Sequence, residues 1–580
     1  METGLGVRLN TLYFPSAKVL YGLNKENTSR DSYIPSDVYY ALQRKSRGNL
    51  GYGKRQQSTL EGTLTFQHKF GELLDMNLMA GMGRYLDSGD GSDISYENAN
   101  DHIQGSSVGM ADGPFYPTSY KYKNEKRSQF VRGNFDLLGR YVVSASLRRD
   151  GTDKFFPSKK YALFPSVSLA WKMNEESFIK NISWINMLKL RASYGETGSD
   201  NLGTTLYGIV TTTREDVQFN NNSVTYIPYI LSGANYEDVT WQKTVMKNIG
   251  LDFSVLRDRI WGSVDVFRND VTHLLGTAPT ELLGMHGTRP INGGHYKRTG
   301  VDVSLNSLNL QTHDFKWTSQ ITLSHYNAVW IERMPNYDYQ KYQKRKNEPM
   351  NAFYYYKTTG IINVDKSNMP ESQRSLGPAA CMPGYPIVED KNGDGIIDVN
   401  DSYMDNTLPK LYFGFGNTFT WKNFDLDIFM YGQLGVKKWN DAYGNSIDVG
   451  GLSRGVDAHN VGIYSYNIWN TQTNTNGRFP GIAISKSVAL PENLGFDYTR
   501  ENASYIRVRN ITLGYNLGPK ELSVFKGYIR GIRVFVDFQN PLTFTKYKGY
   551  DPEINTSSSN LTGGQYPQMR VYSIGAKLTF

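Results

Sequence analysis

The residues best suited to chemistry are acidic and amide side chains packed into one short stretch, residues 390–401, which reads DKNGDGIIDVND. The spacing matches the calcium-loop pattern D-x-N-x-D-G-x-I-x-x-x-D, in which oxygens at fixed positions surround the ion and a glycine allows the sharp bend. Converging carboxylates repel one another unless a cation neutralises them. The stretch therefore predicts a structural calcium ion. Its predicted ligands are Asp390, Asn392, Asp394, the carbonyl oxygen of Ile396, Asp398 and Asp401.

A solvated turn rich in Asp, Asn and Gly is the alternative interpretation of this stretch. The last position is Asp401 rather than Glu, so its side chain has a shorter reach for bidentate binding. The complete ligand spacing nevertheless favours calcium over a turn without metal. We expect the ion to stiffen a long loop rather than to act in signalling.

Aromatic side chains in the long polar segments form a second candidate site. Aromatic rings can stack on sugar rings, and exposed aromatic residues often mark binding surfaces. The alternative is that these rings pack one loop against another or against a partner. The candidate ligand-binding residues are Tyr354, Tyr355, Tyr356, Trp439, Tyr464, Tyr466 and Trp469.

The composition and residue spacing argue against catalysis, disulfide bonds and nucleic-acid binding. The eight His residues form no H-E-x-x-H motif, and no nucleophile can be paired with a base by spacing, so we predict no enzyme. The single Cys381 excludes an intrachain disulfide and a Cys-rich metal site. A net charge of +8 is modest for 580 residues, and Lys and Arg are spread along the chain, which argues against nucleic acid as a partner.

The elements that would position these residues are β-strands, as the C-terminal stretch RVYSIGAKLTF illustrates. Its side chains alternate in character, and a period of two indicates a strand with one apolar face. Such a strand suits a membrane β-barrel, apolar towards lipid and polar towards the lumen, and equally the closing strand of a soluble sandwich. The apolar face carries Tyr572, Ile574, Ala576, Leu578 and Phe580, and the other face carries Val571, Ser573, Gly575, Lys577 and Thr579.

The same alternation recurs along the chain and predicts about sixteen strands, many near the ~10 residues that a barrel strand needs to cross a membrane. The mean hydropathy of −0.50 does not oppose this, because barrel strands conceal their apolar half by alternation. The 41 Tyr, 27 Phe and 9 Trp fit aromatic girdles at two membrane interfaces. The predicted strands include 7–13, 60–66, 74–82, 130–136, 141–149, 249–255 and 260–267, with a polar stretch to about residue 58 and long loops over about 86–126 and 197–243.

The alternation of short turns and long loops decides between the two classes. A soluble sandwich has no reason to collect every long loop at one end, whereas an outer-membrane barrel places short turns in the periplasm and long loops outside the cell. We therefore predict an all-β fold, a transmembrane antiparallel β-barrel. By this parity the last strand leaves Phe580 on the periplasmic side, and residues 390–401 lie outside the cell.

Several segments resemble the SusC/RagA family of TonB-dependent outer-membrane transporters, and together they span most of the chain in the family's order. They are SASLRRDG (144–151), FPSVSLAW (164–171), LKLRASYGETG (188–198), NIGLDF (248–253), YIRVRNITLGYNL (505–517) and QNPLTFTKYKGYDPE (539–553).

The resemblance implies a barrel of ~22 strands that is plugged by an N-terminal domain. It also implies import of oligosaccharides or peptides through the cell outer membrane, with a SusD-like surface lipoprotein as lid and energy from the TonB complex acting through the plug. Met1 is followed by no basic and apolar signal segment. We therefore expect residues 1–580 to be the N-terminally incomplete barrel domain of a longer transporter, with the plug absent.

Two other functions remain compatible with a barrel. One is a surface adhesin or structural outer-membrane barrel, whose outer loops hold partners without transport. The other is a diffusion porin closed from the strands in this chain. An upstream plug and signal peptide would favour the importer, whereas the loop aromatics suit sugars and peptides equally.

Overall fold

The computed structural model describes most of the chain, and all structural statements below concern the described residues. These are residues 3–9, 16–36, 46–98, 108–202, 212–214, 219–221, 224–226, 229–231, 237–279, 288–335, 339–344, 347–440, 466–481, 490–498, 500–518, 521–525, 528–549, 551–554 and 567–580.

Strands dominate the described residues. In chain order they are β1 (Thr3–Leu9), β2 (Ser16–Ile34), β3 (Arg47–Phe70), β4 (Leu74–Glu97), β5 (Phe115–Leu137), β6 (Tyr141–Thr152), β7 (Tyr161–Lys172), β8 (Ile185–Ser199), β9 (Thr212–Arg214), β10 (Phe219–Asn221), β11 (Val224–Tyr226), β12 (Tyr229–Leu231), β13 (Gln242–Val255), β14 (Ile260–Pro279), β15 (Thr288–Gln311), β16 (Phe315–Glu332), β17 (Ala352–Tyr356), β18 (Thr358–Ile361), β19 (Pro386–Val388), β20 (Tyr403–Asn406), β21 (Leu411–Trp421), β22 (Phe424–Leu434), β23 (Lys437–Trp439), β24 (Gly495–Phe496), β25 (Arg500–Asn502), β26 (Tyr505–Leu517), β27 (Gly531–Thr545) and β28 (Val571–Thr579).

In the part of the chain that the structure describes, helical structure is confined to short segments in the connections. The α-helix α1 is Ser177–Lys180, and the 3₁₀ turns are Val108–Met110, Pro157–Lys159, Met173–Glu175, Lys341–Lys344, Glu371–Leu376, Pro378–Cys381, Val399–Asp401, Pro491–Asn493 and Ser523–Phe525. Among the described residues, none of these helices has the length and apolar character needed to cross a membrane.

Seventeen strands of the described residues form one sheet. Each pairs antiparallel with the next in an up-and-down meander that runs through β1–β8, β13–β16, β21, β22 and β26–β28. The predicted all-β class and antiparallel barrel wall are confirmed, and the strand count is close to the sixteen expected. Within the described part of the chain, β1 and β28 do not pair with each other.

Several strands are longer than the sequence predicted. β2 and the first half of β3 occupy the polar stretch before residue 58, where no strand was predicted, and β4 and β5 extend deep into the loop expected over 86–126. The first strand is Thr3–Leu9 rather than 7–13. The pairing of β3 with β4 continues without a break from the turn at 71–73 up to Arg47 opposite Glu97. These strand ends rise beyond the membrane, where water wets both faces and the apolar alternation is lost.

The connections between neighbouring strands separate by length to the two ends of the sheet. One end carries tight turns such as 71–73, 138–140, 256–259, 312–314 and 422–423, together with the longer 173–184 and 518–530. The other end carries the long connections, among them 200–241, 333–410, 435–504 and 546–570. The predicted separation of turns and loops is confirmed, and it places residues 390–401 at the long-loop end.

The two faces of the wall differ as hydrocarbon and water require. Leu147 and Val167 are apolar side chains exposed on the outer face. On the inner face, the Arg191 guanidinium bridges Asp252 at 2.7 Å and Asp265 at 3.1 Å. A charged network of this kind is tolerated because it faces the lumen rather than the lipid.

Replacement of adjacent residues of β7 should show which face meets lipid. We expect Val167→Arg to lower the free energy of unfolding by about 2–4 kcal/mol, because the charge enters hydrocarbon. The neighbouring Ser168 faces the lumen, so Ser168→Arg should lower the free energy of unfolding by less than about 1 kcal/mol. Urea unfolding in lipid vesicles measures both, and equal costs would contradict this assignment of faces.

Candidate functional site

The candidate site is a layer of ordered loops over the long-loop end of the barrel wall, which we call the loop layer. It contains the described parts of connections 333–410, 435–504 and 546–570. β17 pairs antiparallel with β20 and parallel with β24, and β23 pairs with β25. The first two connections are therefore joined by backbone hydrogen bonds, and the layer has a fixed shape rather than being a set of separate loops.

The predicted calcium loop is organised by its own acidic side chains. The Asp390 carboxylate accepts hydrogen bonds from the backbone N–H groups of Gly393 (2.7 Å) and Gly395 (2.9 Å). The Asp394 carboxylate accepts from the Ile396 N–H at 2.9 Å. Both glycines have positive φ, 74° and 83°, a conformation that side-chain-bearing residues rarely adopt. The chain therefore turns sharply around Asp390.

Asp401 closes the loop from its other end. It is fully buried and accepts hydrogen bonds from the N–H groups of Lys391 (2.9 Å), Asn392 (3.3 Å) and Asp398 (2.8 Å). Asp398 caps the 3₁₀ turn that follows, through the Asn400 N–H at 2.7 Å. Across the described residues, which include all of 390–401, no three His, Cys, Asp or Glu side chains converge as a metal-binding group. The oxygens suit a hard cation in kind, but here they bind backbone amides.

The predicted aromatic residues separate into buried and exposed positions. Tyr354, Tyr355, Tyr356 and Trp469 are buried, so their rings pack inside the loop layer. Tyr356 belongs to an apolar cluster and donates its hydroxyl to the Asp398 carbonyl at 3.0 Å.

The remaining aromatic candidates lie in other surroundings. Trp439 is half-buried and packs edge-on against Phe353 at a ring-centroid distance of 5.0 Å. Tyr466 is 83% exposed, so its ring is accessible to solvent. Tyr464 lies outside the described residues.

One ionic cluster that the sequence did not suggest is centred on Asp405. Its Oδ2 atom contacts Arg500 at 2.8 Å and Lys437 at 3.3 Å, and it accepts the Tyr355 hydroxyl at 3.1 Å. Burial alone would raise the pKa of Asp405, but the positive charges of Arg500 and Lys437 outweigh it and hold that pKa below its ordinary value. Burial and the nearby Asp405 charge raise the pKa of Tyr355 to about 12. The cluster ties β20 to β23 and β25.

A second cluster anchors connection 546–570 to the barrel wall. Arg507 is almost fully buried and donates to Asp551 and Glu553, each at 2.7 Å, and to the Thr543 hydroxyl at 3.0 Å. Asp551 also accepts the Gln568 N–H at 3.0 Å, so it holds both ends of that connection. Burial would raise the pKa of Asp551, but its backbone hydrogen bonds and Arg507 lower it below the ordinary value.

The sequence singled out the segments that contain the Arg507 cluster but did not predict that these residues pair. Arg507 lies in the segment 505–517 and Asp551 with Glu553 in the segment 539–553, both of which carry the family resemblance. Nothing in the spacing pairs Arg507 with Asp551, which are 44 residues apart. The register of β26 and β27 places Thr543 opposite Arg507, and the chain after β27 folds back so that Asp551 reaches the same guanidinium.

The wall and its loop layer define a class of protein. An antiparallel meander with an apolar outer face, a charged inner face and its long loops at one end is an outer-membrane β-barrel. The chain belongs to the family described as "TonB dependent receptor-like, beta-barrel", whose model matches residues 3–540. Members of this family are outer-membrane proteins, so the predicted location is confirmed.

Individual relatives agree with this family. The chain is 26% identical to TonB-dependent receptor P3 of Formosa agariphila over 97% of this chain and 56% of that protein. It is 28% identical to TonB-dependent receptor SusC of Bacteroides thetaiotaomicron over 80% of this chain and 44% of that protein. The chain thus spans about half the length of the curated relatives it matches.

A solved structure shows the same fold. The structure of the RagAB peptide transporter superposes with a TM-score of 0.79 at 20% identity, covering 100% of this chain and 61% of that chain. The predicted resemblance to the SusC/RagA type is confirmed.

Removal of Asp551 should release connection 546–570 from the wall. We expect Asp551→Ala to lower the free energy of unfolding by about 3 kcal/mol, because the buried Arg507 charge loses a partner. Hydrogen exchange at residues 551–554 measures the release. The control is Glu371→Ala, which breaks an exposed ion pair with Arg374. It should lower the free energy of unfolding by less than about 1 kcal/mol. Unchanged exchange at 551–554 would contradict the anchoring role.

Proposed function

We propose that this chain forms the barrel wall of an outer-membrane, TonB-dependent nutrient importer of the SusC type. Its family and its similarity to SusC and to the RagAB peptide transporter support the proposal. The observation that carries it is the ordered loop layer, in which the Asp405 cluster joins connections 333–410 and 435–504 and the Arg507 cluster fixes connection 546–570 to the wall. A diffusion porin works with an open mouth, whereas an importer needs a built chamber in which to hold its cargo.

The partners follow from the same proposal. A SusD-like surface lipoprotein would cover the loop layer, and the TonB complex would supply energy through a plug inside the barrel. The rigid, paired loops offer such a lid a defined seat, since the strand pairing of β17, β20 and β24 fixes their positions. The charged inner face around Arg191 suits a polar plug.

The cargo would be an oligosaccharide or a peptide. Tyr466 supports either class, because its exposed ring can stack on a sugar or on a peptide side chain. The proposal gives the chain no catalytic reaction, in keeping with its transporter and receptor family.

Energy dependence separates an importer from the two alternative functions. In cells that express the complete protein, we expect labelled oligosaccharide or peptide to accumulate and a protonophore to abolish accumulation. Asp405→Ala should reduce uptake several-fold because it loosens the loop layer, whereas the exposed-pair control Glu371→Ala should not. Uptake that survives the protonophore would identify a porin, and surface binding without uptake would identify an adhesin; either result contradicts the importer.

We further propose that residues 390–401 bind calcium as a structural ion. The complete spacing of oxygen ligands supports this, as do the two positive-φ glycines that bend the chain around Asp390. Bound calcium would draw the carboxylates of Asp390, Asp394 and Asp398 towards one point. The buried Asp401 and the hydroxyl of Tyr356, which contacts the Asp398 carbonyl, would transmit that rigidity to the loop layer.

Calorimetry on the full chain tests the calcium site. We expect wild-type protein to bind calcium and Asp394→Ala to weaken binding at least about ten-fold, because a ligand at the fifth position is lost. Asp365→Ala, which removes an exposed carboxylate of the same connection, is the matched control. Absence of heat above the buffer signal for the wild type, or equal binding by both variants, would contradict the proposal.

A further inference from the structure

A basic patch on the outer, lipid-facing side of the barrel wall has no role in the import function proposed above. It lies on β4, β5 and β6 and consists of Arg84, Arg127 and Arg149, with Glu125 between the first two. Arg84 stands directly opposite Arg127, and Arg149 stands opposite Gln129 one step nearer the membrane. Three neighbouring strands thus present arginine at nearly the same height.

The height of the patch follows from the apolar residues beneath it. On β4 the outward side chains run from Leu74 at the short-turn end to the exposed Met82, and Arg84 is the next outward residue. The advance from Leu74 to Arg84 covers about 33 Å along the strand at ~3.3 Å per residue, or roughly 25 Å of height at a tilt of ~40°. This equals the apolar band of an outer-membrane barrel. The patch therefore lies where hydrocarbon gives way to the headgroups of the outer leaflet.

The charge of the patch is not balanced within the protein. Arg84 donates to both oxygens of Glu125, at 3.0 and 2.9 Å, and Arg127 donates to the same carboxylate at 2.6 Å. Two like charges directly opposite one another repel, and a single carboxylate neutralises only one of them. The side chains of Arg84 and Arg127 are 56% and 55% exposed, against 15% for Glu125. The excess positive charge is therefore presented outward.

Other groups near the patch do not cancel this excess. Asp153 lies beside Glu125 and accepts its backbone N–H at 2.8 Å, which gives two carboxylates against three arginines. Higher on the wall, Asp90 faces Lys121, and Lys123 adds a further positive charge opposite Ser88. The Arg149 guanidinium lies 4.1 Å from the centroid of the Tyr161 ring. A tyrosine at this level sits at the membrane interface. Its ring and the Gln129 side chain, whose Oε1 accepts from Arg149 Nη1 at 3.4 Å, hold the exposed guanidinium in place.

We propose that this basic patch binds the phosphate groups of the phosphorylated glycolipid in the outer leaflet. Guanidinium groups match phosphate in charge and in bidentate geometry. The exposed apolar side chains of Met82, Val131 and Leu147 continue directly below the arginines and meet the acyl chains of the same lipid. Free phosphate has no acyl chains, so the ligand is the lipid. The inference rests on the orientation of the barrel in the outer membrane and not on the cargo.

Native mass spectrometry of the full chain in detergent tests this inference. Wild-type protein is mixed with phosphorylated lipid A or with the same lipid after removal of its phosphates. We expect the phosphorylated form to be retained and the triple variant R84Q/R127Q/R149Q to retain it about ten-fold less. The matched control R55Q should retain it as the wild type does, because Arg55 faces the lumen side of β3 and pairs with Asp87 at 2.8 Å.

Two results would overturn the inference. One is equal retention of phosphorylated lipid by the triple variant and R55Q, and the other is equal retention of both lipids by the wild type. The comparison of the two lipids on unaltered protein decides the question even if the triple variant fails to fold. Neither result depends on transport, so both leave the importer proposal unaffected.

Discussion

Hydrocarbon offers a peptide group no hydrogen-bond partner, and the whole barrel wall depends on that constraint. A strand in the membrane must satisfy all its N–H and C=O groups on its two neighbours, which requires an unbroken ladder of strands. The antiparallel meander provides this ladder for every strand between β1 and β28, whereas β1 and β28 each have one paired neighbour among the described residues. Since the ladder fixes the register, it also fixes which side chains face lipid and which face the lumen.

The loop layer obeys a different rule, because water surrounds it. Its connections are too long to be held by turns alone. Ion pairs between charged side chains help to hold them in place, as the backbone hydrogen bonds do in the barrel wall. Asp405 joins three short strands of two connections, and Arg507 joins the third connection to the wall. The side chains of Arg500 and Arg507 are buried, which raises the cost of losing one of their partners. Order in the layer therefore comes from these ion pairs together with short strand pairings and small apolar clusters, such as those around Tyr356 and Tyr385.

The sequence predicted the parts of the fold in which one face meets lipid. In β6, β7 and β28 the period of two is clear because hydrocarbon and water select opposite side chains. The upper part of β2 and the outer halves of β3, β4 and β5 were missed because both of their faces are wet, and polar, charged and glycine residues fill them. The spacing of 390–401 marked a bend around Asp390 that the structure contains. The burial of Tyr354 and Tyr356, and the pairing of Arg507 with Asp551, depend on contacts that local spacing does not encode.

The strands that extend above the membrane set how far from the lipid a protein bound to their upper ends, the rim of the barrel, must lie. From Leu60 to Arg47, β3 climbs about 43 Å along its length at ~3.3 Å per residue, or roughly 33 Å vertically at a tilt of ~40°. A lipid-anchored protein resting on that rim must span the same drop with its tether. An extended chain covers ~3.3–3.6 Å per residue, so a linker of about ten residues is the shortest that permits docking.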